Sequence, residues 1–330
     1  MDEFAPLREA FSGTAEVSPL PLRTARDETR ALMPYLDRYA LTPLWQGRDV
    51  DQVYAGFIAS GAFSLWCQVW APPAPVGTVF VVHGYFDHLG LYRHLLAMLL
   101  ARGWQVVLWD LPGHGLSSGE RAAIDDFATY GDCLHDIQAA LSARRLTPAP
   151  WVGIGQSTGA SILATDALCR PAAAPWVGLA LLAPLVRPCR WRQTGPLQRL
   201  AAPFVKTFPR PGRHNSTDRA FVDFLHHRDP LQPRRLNLGW VSAMRRWMPQ
   251  LLAAAPSTLP VLLMQGEQDR TVDWRYNLAV LTDKFPRAHV YRQPDARHHL
   301  VNEAPPIREA LLAELGRFLD GLAVQAASRA

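Results

Sequence analysis

A serine between two glycines is the residue in this sequence whose surroundings best suit chemistry. It is Ser157 in the stretch WVGIGQSTGASILA, with Gly155 and Gly159 two residues to either side. The apolar run before this serine and the alanine-rich run after it predict a strand, a sharp turn and a helix. Glycines at these positions suit a turn in which a side chain would clash. The pattern G-x-S-x-G is typical of a nucleophile elbow, which exposes a serine hydroxyl for attack on a carbonyl carbon.

The serine motif alone leaves two interpretations open. One is a tight glycine turn with an inert serine, because so short a pattern also occurs by chance. The other is nucleophilic catalysis, which needs a base to take the hydroxyl proton and a carboxylate to orient that base. After an elbow of this kind the expected chain order is serine, acid and histidine.

Three carboxylates follow a later apolar run and are candidates for the acid. The stretch VLLMQGEQDRTVDW contains Glu267, Asp269 and Asp273. We favour Asp269, because it lies a short turn past the predicted strand, where a carboxylate can reach across the carboxyl edge of a sheet. The other two are interpreted as solvated loop charges. The strand GLALLAPLVRP ends with no carboxylate, which removes the main alternative position.

Two adjacent histidines are candidates for the base. The stretch PDARHHLVNE supplies His298 and His299 after the last predicted strand, where the base is expected. Adjacent loop histidines are most often surface residues, and we expect one of this pair to be exposed. The nearby Asp295 is close enough in sequence to contact a histidine, but we interpret it as a loop-capping residue.

Two backbone N–H groups are candidates for the oxyanion hole, which must offer preset donors to the attacked carbonyl oxygen. Thr158 directly follows the serine, so its N–H points toward the reacting centre in an elbow. The second donor is expected from the loop after the strand TVFVVHG, which makes the N–H of Tyr85 the candidate. His83 in the same loop is expected to be structural.

The elements that must position these residues alternate between strand and helix. The strands are apolar throughout, which predicts a mostly parallel, doubly wound sheet covered by helices on both faces. An antiparallel hairpin opens this α/β core. The predicted divisions are an N-terminal lead-in at 1–48, a core at 49–186 and 257–330, and a basic, mainly helical insertion at 187–256.

Charge and composition narrow the class of protein. Between Arg187 and Pro256 there are twelve Arg and one Lys against three Asp, a net charge of +10, whereas the whole chain carries +5. The four cysteines form no C-x-x-C pair, so metal and redox roles have no support. The acidic start MDEFAPLREAF is unlike a signal peptide, and apolar runs of about ten residues are too short to span a bilayer. We therefore expect a cytosolic protein.

Five ordered blocks of this sequence resemble the α/β-hydrolase superfamily. They are VVHGYFDHLGLY, DLPGHGLSSGER, GIGQSTGA, LMQGEQDRTV and ARHHLVNE. More narrowly, the chain is similar to the monoacylglycerol lipase and lysophospholipase branch, which is grouped with serine aminopeptidase-like hydrolases. The resemblance implies the α/β-hydrolase fold, with Ser157 as nucleophile, Asp269 as acid and His298 as base. It also places Tyr85 and Thr158 at the oxyanion hole.

The same resemblance implies a serine hydrolase that cleaves lipid-like carboxylic esters, such as monoacylglycerols or lysophospholipids, and needs no metal and no cofactor. Asp110 and His114 match a loop that is structural in the family. Residues 187–256 match the place of the family's cap, which shapes an acyl-chain pocket. Two interpretations are open for the large apolar side chains of this segment, which either line that pocket or pack between helices: Trp191, Phe204, Phe221, Phe224, Trp240, Trp247, Leu251 and Leu252.

Other functions remain open from the sequence. The same triad serves aminopeptidases, thioesterases and acyltransferases, and a non-catalytic ligand-binding hydrolase fold is a further alternative. The arginines of the insertion suit contact with anionic head groups or with the anionic inner surface of a membrane, and the alternative is that they form a solvated face. Nucleic acid is not expected as a partner, because no binding module is recognisable. The sequence indicates no oligomeric state.

Overall fold

A twisted sheet with helices on both faces forms the centre of the protein. The computed structural model describes residues 3–11, 18–20, 27–171, 175–201, 204–210 and 214–328. The strands are β1 (Ser18–Leu20), β2 (Gln52–Ser60), β3 (Phe63–Ala71), β4 (Thr78–Val82), β5 (Gln105–Trp109), β6 (Trp151–Gln156), β7 (Trp176–Leu182), β8 (Thr207–Pro209), β9 (Arg235–Asn237), β10 (Val261–Gly266) and β11 (His289–Gln293).

Across the described ranges, nine of these strands form one sheet in the order β1-β2-β3-β5-β4-β6-β7-β10-β11. The six strands from β5 to β11 in this order run parallel to one another. The first three pair antiparallel, and β2 and β3 are joined through Gly61, which has a φ of +53°. The mostly parallel, doubly wound sheet with an opening hairpin is therefore confirmed.

Helices follow the strands in alternation, as the sequence predicts for the core. They are α1 (Ala5–Phe11), α2 (Asp27–Arg38), α3 (Thr42–Trp45), α4 (Arg93–Ala101), α5 (Ala128–Ala143), α6 (Thr158–Cys169), α7 (Trp191–Ala201), α8 (Arg219–Asp223), α9 (Leu238–Ala253), α10 (Trp274–Lys284) and α11 (Pro305–Ala327). Short 3₁₀ turns occupy Leu89–Tyr92 and Leu300–Asn302, and a π-helical turn occupies Phe224–Arg228.

Two apolar cores lie on opposite faces of the sheet, because side chains alternate along a strand. Val79 and Val81 of β4 pack with α1, α2, α4 and α11 on one face. Phe80 and Val82 of the same strand pack with α5, α6, α9 and α10 on the other. Burial on both faces explains why the central strands are apolar at every position.

The chain between β7 and β10 contributes no strand to the main sheet within the described residues. Its strands β8 and β9 pair only with each other. Helix α9 packs its buried Trp247 against Phe127, with ring centroids 5.0 Å apart, and the indole donates to Thr165 of α6. This segment is therefore held against the helical layer beside the carboxyl ends of the strands.

The start of the chain is partly helical, and it also adds the edge strand β1, which the sequence did not indicate. Phe4, Leu7 and Phe11 of α1 are buried in the first core. In the described part of the chain, no helix is long and apolar enough to cross a membrane.

Candidate active site

Ser157 lies in the turn that joins β6 to α6. Its φ of +53° is a strained value for a residue with a side chain. A Cβ added at Gly155 would lie 2.4 Å from the nitrogen of Ala160, and one added at Gly159 would lie 2.0 Å from the carbonyl oxygen of Val82. The turn thus needs glycine at both positions, for the steric reason that the sequence suggests.

His298 and Asp269 are hydrogen-bonded in the loops beyond β11 and β10. The Nδ1 of His298 lies 2.7 Å from Oδ2 of Asp269, and both side chains are almost fully buried. A carboxylate on Nδ1 fixes the ring so that Nε2 is the nitrogen directed away from it. His298 and Ser157 line the same cavity. The structure therefore brings the three predicted side chains to one edge of the sheet.

Asp269 is held as a carboxylate by its surroundings. Burial by itself would raise its pKa, but His298 and the N–H donors around it lower the pKa overall. Oδ1 accepts from the backbone N–H groups of Thr271 and Val272 at 2.7 and 3.2 Å, and Oδ2 accepts from the side chain of Gln265 at 3.1 Å. An ionised carboxylate in this position stabilises a protonated imidazole on His298.

Two further residues fix the loop that carries His298. Gln156, next to the serine, donates from Nε2 to the carbonyl oxygen of His298 at 2.8 Å. Asn215, in the segment between β7 and β10, accepts from the backbone N–H groups of His298 and His299 at 3.1 and 2.8 Å. Its side chain accepts from Thr271 at 3.1 Å. The segment outside the sheet thus braces both the loop of Asp269 and the loop of His298.

The predicted oxyanion residues, Thr158 and Tyr85, border the same cavity as the serine. Thr158 is the first residue of α6, where backbone N–H groups are not used within the helix. Tyr85 is fixed from both sides, because its hydroxyl donates to Ala122 at 2.7 Å and its ring stacks on Trp240 at 3.9 Å.

The loop before Tyr85 lies against the elbow. A Cβ added at Gly84 would lie 3.4 Å from Cβ of Ser157. His83 accepts from the N–H of Leu111 through Nε2 at 2.9 Å, so Nδ1 carries the proton and donates to the carbonyl oxygen of Gly84 at 2.8 Å. Burial lowers the pKa of His83 to about 3. A neutral, fully bonded ring suits the structural role expected for this histidine.

The expectation that one of the two adjacent histidines is exposed was wrong. His299 is 4% exposed and His298 is 7% exposed. Nε2 of His299 lies 3.2 Å from Oδ2 of Asp87, and Nδ1 lies 3.3 Å from the side-chain amide of Asn302. His299 is buried because a second buried carboxylate, that of Asp87, lies beside it. Burial alone would raise the pKa of Asp87, but His299 beside it holds that pKa well below its usual range.

Asp110 and His114 lie in a loop beyond β5 and form hydrogen bonds with backbone groups. Asp110 accepts from the N–H groups of Leu89 and Leu116 at 2.7 and 2.8 Å. His114 is buried, and its Nδ1 lies 2.9 Å from the carbonyl oxygen of Pro112. Burial lowers the pKa of His114 to about 4. Among the residues that the structure describes, no group of three His, Cys, Asp or Glu could hold a metal ion.

A cavity of about 370 Å³ opens beside the serine, and most of its walls are apolar. Of the side chains that were candidates to line it, Trp191, Phe221 and Trp240 do so, together with Leu236, Leu238, Val241 and Met244. The interpretation that the other five side chains line the cavity was wrong. Trp247 and Leu251 pack in the second core, Phe224 contacts Tyr39, and Phe204 and Leu252 are 87% and 40% exposed.

Sequence reasoning missed Gln156, Asn215 and the partnership of Asp87 with His299. Gln156 stands inside the recognised motif, but nothing in the motif indicates where its amide points. Asn215 acts chiefly through its carbonyl oxygen, which every residue possesses. Asp87 lies in the quoted block VVHGYFDHLGLY, so its nearness in sequence to Tyr85 was the available signal.

The chain is similar to known hydrolases over most of its length. A family profile described as serine aminopeptidase, S33, matches residues 73–305. The chain is 29% identical over 273 residues to the monoglyceride lipase of Mus musculus, with 77% of this chain and 86% of the relative covered. It is 24% identical over 263 residues to the phospholipase YtpA of Bacillus subtilis, with 76% and 98% covered.

Solved structures agree on the fold. A soluble variant of monoglyceride lipase from Saccharomyces cerevisiae, in complex with a substrate analog, aligns with a TM-score of 0.70 at 18% identity, covering 81% of this chain and 94% of that one. The fold is therefore that of an α/β-hydrolase. Since the profile spans well over half of the sequence, the chain belongs to the serine aminopeptidase, S33, family, and it is an ester hydrolase.

Proposed function

We propose that the protein is a serine hydrolase that cleaves carboxylic esters of lipid-like substrates through an acyl-enzyme on Ser157. The observation that carries this proposal is the hydrogen-bonded pair of His298 and Asp269 at the cavity that Ser157 lines. The similarity to a monoglyceride lipase and to a phospholipase supports an ester of glycerol as the substrate class. Monoacylglycerols and lysophospholipids both fit that class.

In the proposed reaction, Oγ of Ser157 attacks the ester carbonyl carbon while Nε2 of His298 takes the hydroxyl proton. The carbonyl oxygen becomes an oxyanion, which the N–H groups of Tyr85 and Thr158 stabilise. His298 then gives its proton to the leaving alcohol oxygen, and the carbon–oxygen ester bond breaks. Water attacks the acyl-enzyme in the same manner, which releases the fatty acid and restores the serine hydroxyl.

We assign the segment 187–256 as a cap that covers the site and forms most of the acyl cavity. Its strand β9 and helix α9 supply Leu236, Leu238, Trp240, Val241 and Met244 to the lining. Burying an acyl chain against such side chains contributes about 0.8 kcal/mol for each methylene group. This gain explains how an ester with a long chain would be bound and oriented.

We also propose that the cap meets a membrane surface from the cytosolic side. Leu200 and Phe204 are 73% and 87% exposed at the end of α7 and beyond it, and the segment around them is basic. Apolar side chains beside cations suit an anionic bilayer surface. The double variant Leu200→Ser/Phe204→Ser should bind anionic vesicles more weakly than the wild type in a sedimentation assay. Unchanged binding would contradict this contact.

A hydrolysis panel tests the proposed function. Monoacylglycerols, lysophospholipids, acyl thioesters and aminoacyl anilides are compared by kcat/KM, with Ser157→Ala as the control for each. We expect the glycerol esters to be cleaved with the highest kcat/KM and Ser157→Ala to cleave none of them measurably. Preferred cleavage of the anilides, or ester cleavage that persists in Ser157→Ala, would contradict the proposal.

A further inference from the structure

A second, larger depression adjoins the acyl cavity on the side of His298. It encloses about 1130 Å³, and we call it the basic basin. His298, Asn215 and Val222 line both spaces, whereas Ser157, Tyr85 and Thr158 line only the acyl cavity. The two spaces therefore meet at the proposed base, with the proposed nucleophile and oxyanion donors on one side of the junction.

The walls of the basic basin carry more positive than negative charge. Four arginines line it, namely Arg190, Arg219, Arg270 and Arg297, against two carboxylates, Asp223 and Asp295. The carboxylate of Asp223 is itself engaged at 3.0 Å by His227 and at 3.2 Å by Arg228, a residue outside the basin.

Two of the basin arginines have guanidinium groups with no partner among the residues that the structure describes. Arg297 donates to the carbonyl oxygens of His214 and Ser216 at 3.2 and 3.0 Å. For Arg190 and Arg219, in contrast, no side-chain hydrogen bond or ion pair occurs among the described residues. Both side chains are exposed, so they can turn toward an anion in the basin.

The chemistry of ester cleavage decides what must lie in the basin. The base that accepted the serine proton returns it to the leaving alcohol oxygen, so the alcohol part of the ester lies against His298. The acyl part lies on the side of the serine and the oxyanion donors. The acyl chain therefore fits the apolar cavity, and the head group of the leaving alcohol extends into the basic basin.

We infer that Arg190 and Arg219 bind the phosphate of a glycerophosphate head group, so that the preferred substrate is an anionic lysophospholipid and not a neutral monoacylglycerol. This inference rests on the proposed ester hydrolysis. A guanidinium presents paired N–H donors that match two phosphate oxygens, and such charge-assisted hydrogen bonds are stronger than those of a neutral hydroxyl. A monoacylglycerol has only hydroxyl groups to place in the same space.

The test compares two esters that share one acyl chain, 1-oleoylglycerol and 1-oleoyl-glycerol-3-phosphate, each kept below its critical micelle concentration. The variants are Arg190→Gln, Arg219→Gln and the double variant. The matched control is Arg145→Gln/Arg287→Gln, which removes two exposed arginines near the opposite, amino edge of the sheet. All four variants and the wild type are measured by kcat/KM at 20 and 300 mM NaCl, and their Tm values are compared.

For the phosphate ester, we expect the double variant to lower kcat/KM at least tenfold, with most of the change in KM, and to remove most of the salt dependence. For the neutral ester, we expect less than a twofold change. The control pair should behave as the wild type with both esters. Equal losses for the two esters, or no selective loss in the double variant, would overturn the head-group assignment while leaving ester hydrolysis intact. Failure of the wild type to cleave either ester would instead contradict the proposed function.

Discussion

Two adjacent histidines, His298 and His299, occupy the same loop, are both buried and each face an aspartate, yet their settings differ. His298 presents Nδ1 to Asp269 at 2.7 Å, which directs Nε2 away from the carboxylate at the cavity that Ser157 lines. His299 presents Nε2 to Asp87 and Nδ1 to Asn302. Both nitrogens of His299 thus face protein groups, although Nε2 makes no hydrogen bond within the described residues, and this setting suits a ring that holds a loop in place.

The comparison teaches that a histidine–aspartate pair is not by itself a catalytic signature. What matters is which nitrogen the carboxylate engages and what the other nitrogen faces. Asp269 also accepts three N–H donors from its own loop and from β10, so it stays fixed when the imidazole changes its protonation. Asp87 instead accepts from the hydroxyl of Tyr92 at 3.1 Å, in the loop that follows β4.

The largest expected effect is the loss of kcat when His298 or Asp269 is replaced. His298→Ala should lower kcat on the order of 10⁶-fold, because the serine loses its base. Asp269→Asn should lower kcat by about 10⁴-fold, because the amide favours the wrong tautomer of the imidazole. Steady-state hydrolysis of a p-nitrophenyl ester measures both, with circular dichroism as the check on folding. A loss below a hundredfold in either variant would contradict the assignment.

Breaking the pair of His299 and Asp87 should lower stability strongly and activity only weakly. His299→Ala leaves the buried carboxylate of Asp87 without its partner, which should lower the free energy of unfolding by about 3–5 kcal/mol. At a temperature where the variant is folded, kcat should fall less than tenfold. Urea unfolding and ester hydrolysis measure the two quantities.

The double variant Asp87→Asn/His299→Ala is the control for that interpretation. It removes the charge as well as its partner, so part of the lost stability should return. If His299→Ala instead lost activity as severely as His298→Ala while remaining stable, the two histidines would have to exchange roles.

The turn that carries Ser157 can be tested by replacing one of its two glycines. Gly159→Ala places a Cβ against the carbonyl oxygen of Val82, so the elbow cannot keep its shape. We expect a loss of at least about 2 kcal/mol in unfolding free energy, together with a loss of ester hydrolysis. Gly321→Ala in α11 is the matched control, because nothing lies within 4 Å of the added Cβ. It should raise stability by up to about 1 kcal/mol. Equal effects of the two substitutions would contradict the steric argument.

Much of the fold could be predicted because it depends on local patterns. The apolar run at β6 and the glycines around Ser157 indicated a strand, an elbow and a helix without knowledge of any other part of the chain. The same holds for Asp269, which follows β10 by a short turn. The strands β1, β8 and β9 are three residues long, and no alternation is visible over so short a run.

The parts that could not be predicted depend on contacts between distant residues. His299 is buried because Asp87, far earlier in the sequence, lies beside it. The cavity walls were predicted from residue type alone, which cannot tell Trp240, stacked on Tyr85, from Trp247, stacked on Phe127. Both are aromatic residues of one helix, and only the packing of that helix decides which of them faces the site.

The smallest expected effect concerns buried histidines that have no carboxylate partner. Burial lowers the pKa of His114 to about 4, so between pH 6.5 and 4 the unfolded chain binds a proton that the folded chain does not. This contribution to stability is therefore fully present above pH 6.5 and is lost as the pH falls toward 4. His114→Asn should reduce the slope of unfolding free energy against pH by up to about 1.4 kcal/mol per pH unit.

Urea unfolding at pH 7, 6 and 5 measures that slope. His227→Asn, at an exposed position in the segment between β7 and β10, is the control and should change the slope little. An unchanged slope in His114→Asn would show that this histidine does not account for the acid sensitivity.

Labelling with a fluorophosphonate, followed by mass spectrometry of the modified peptide, tests the central assignment most directly. The reagent bonds covalently to a serine whose hydroxyl is activated by a base. We predict that the wild type and His299→Ala are modified at Ser157 at similar rates, and that Ser157→Ala and His298→Ala are not modified on that timescale. Modification of Ser157→Ala at the wild-type rate, or of His298→Ala but not of His299→Ala, would contradict the account.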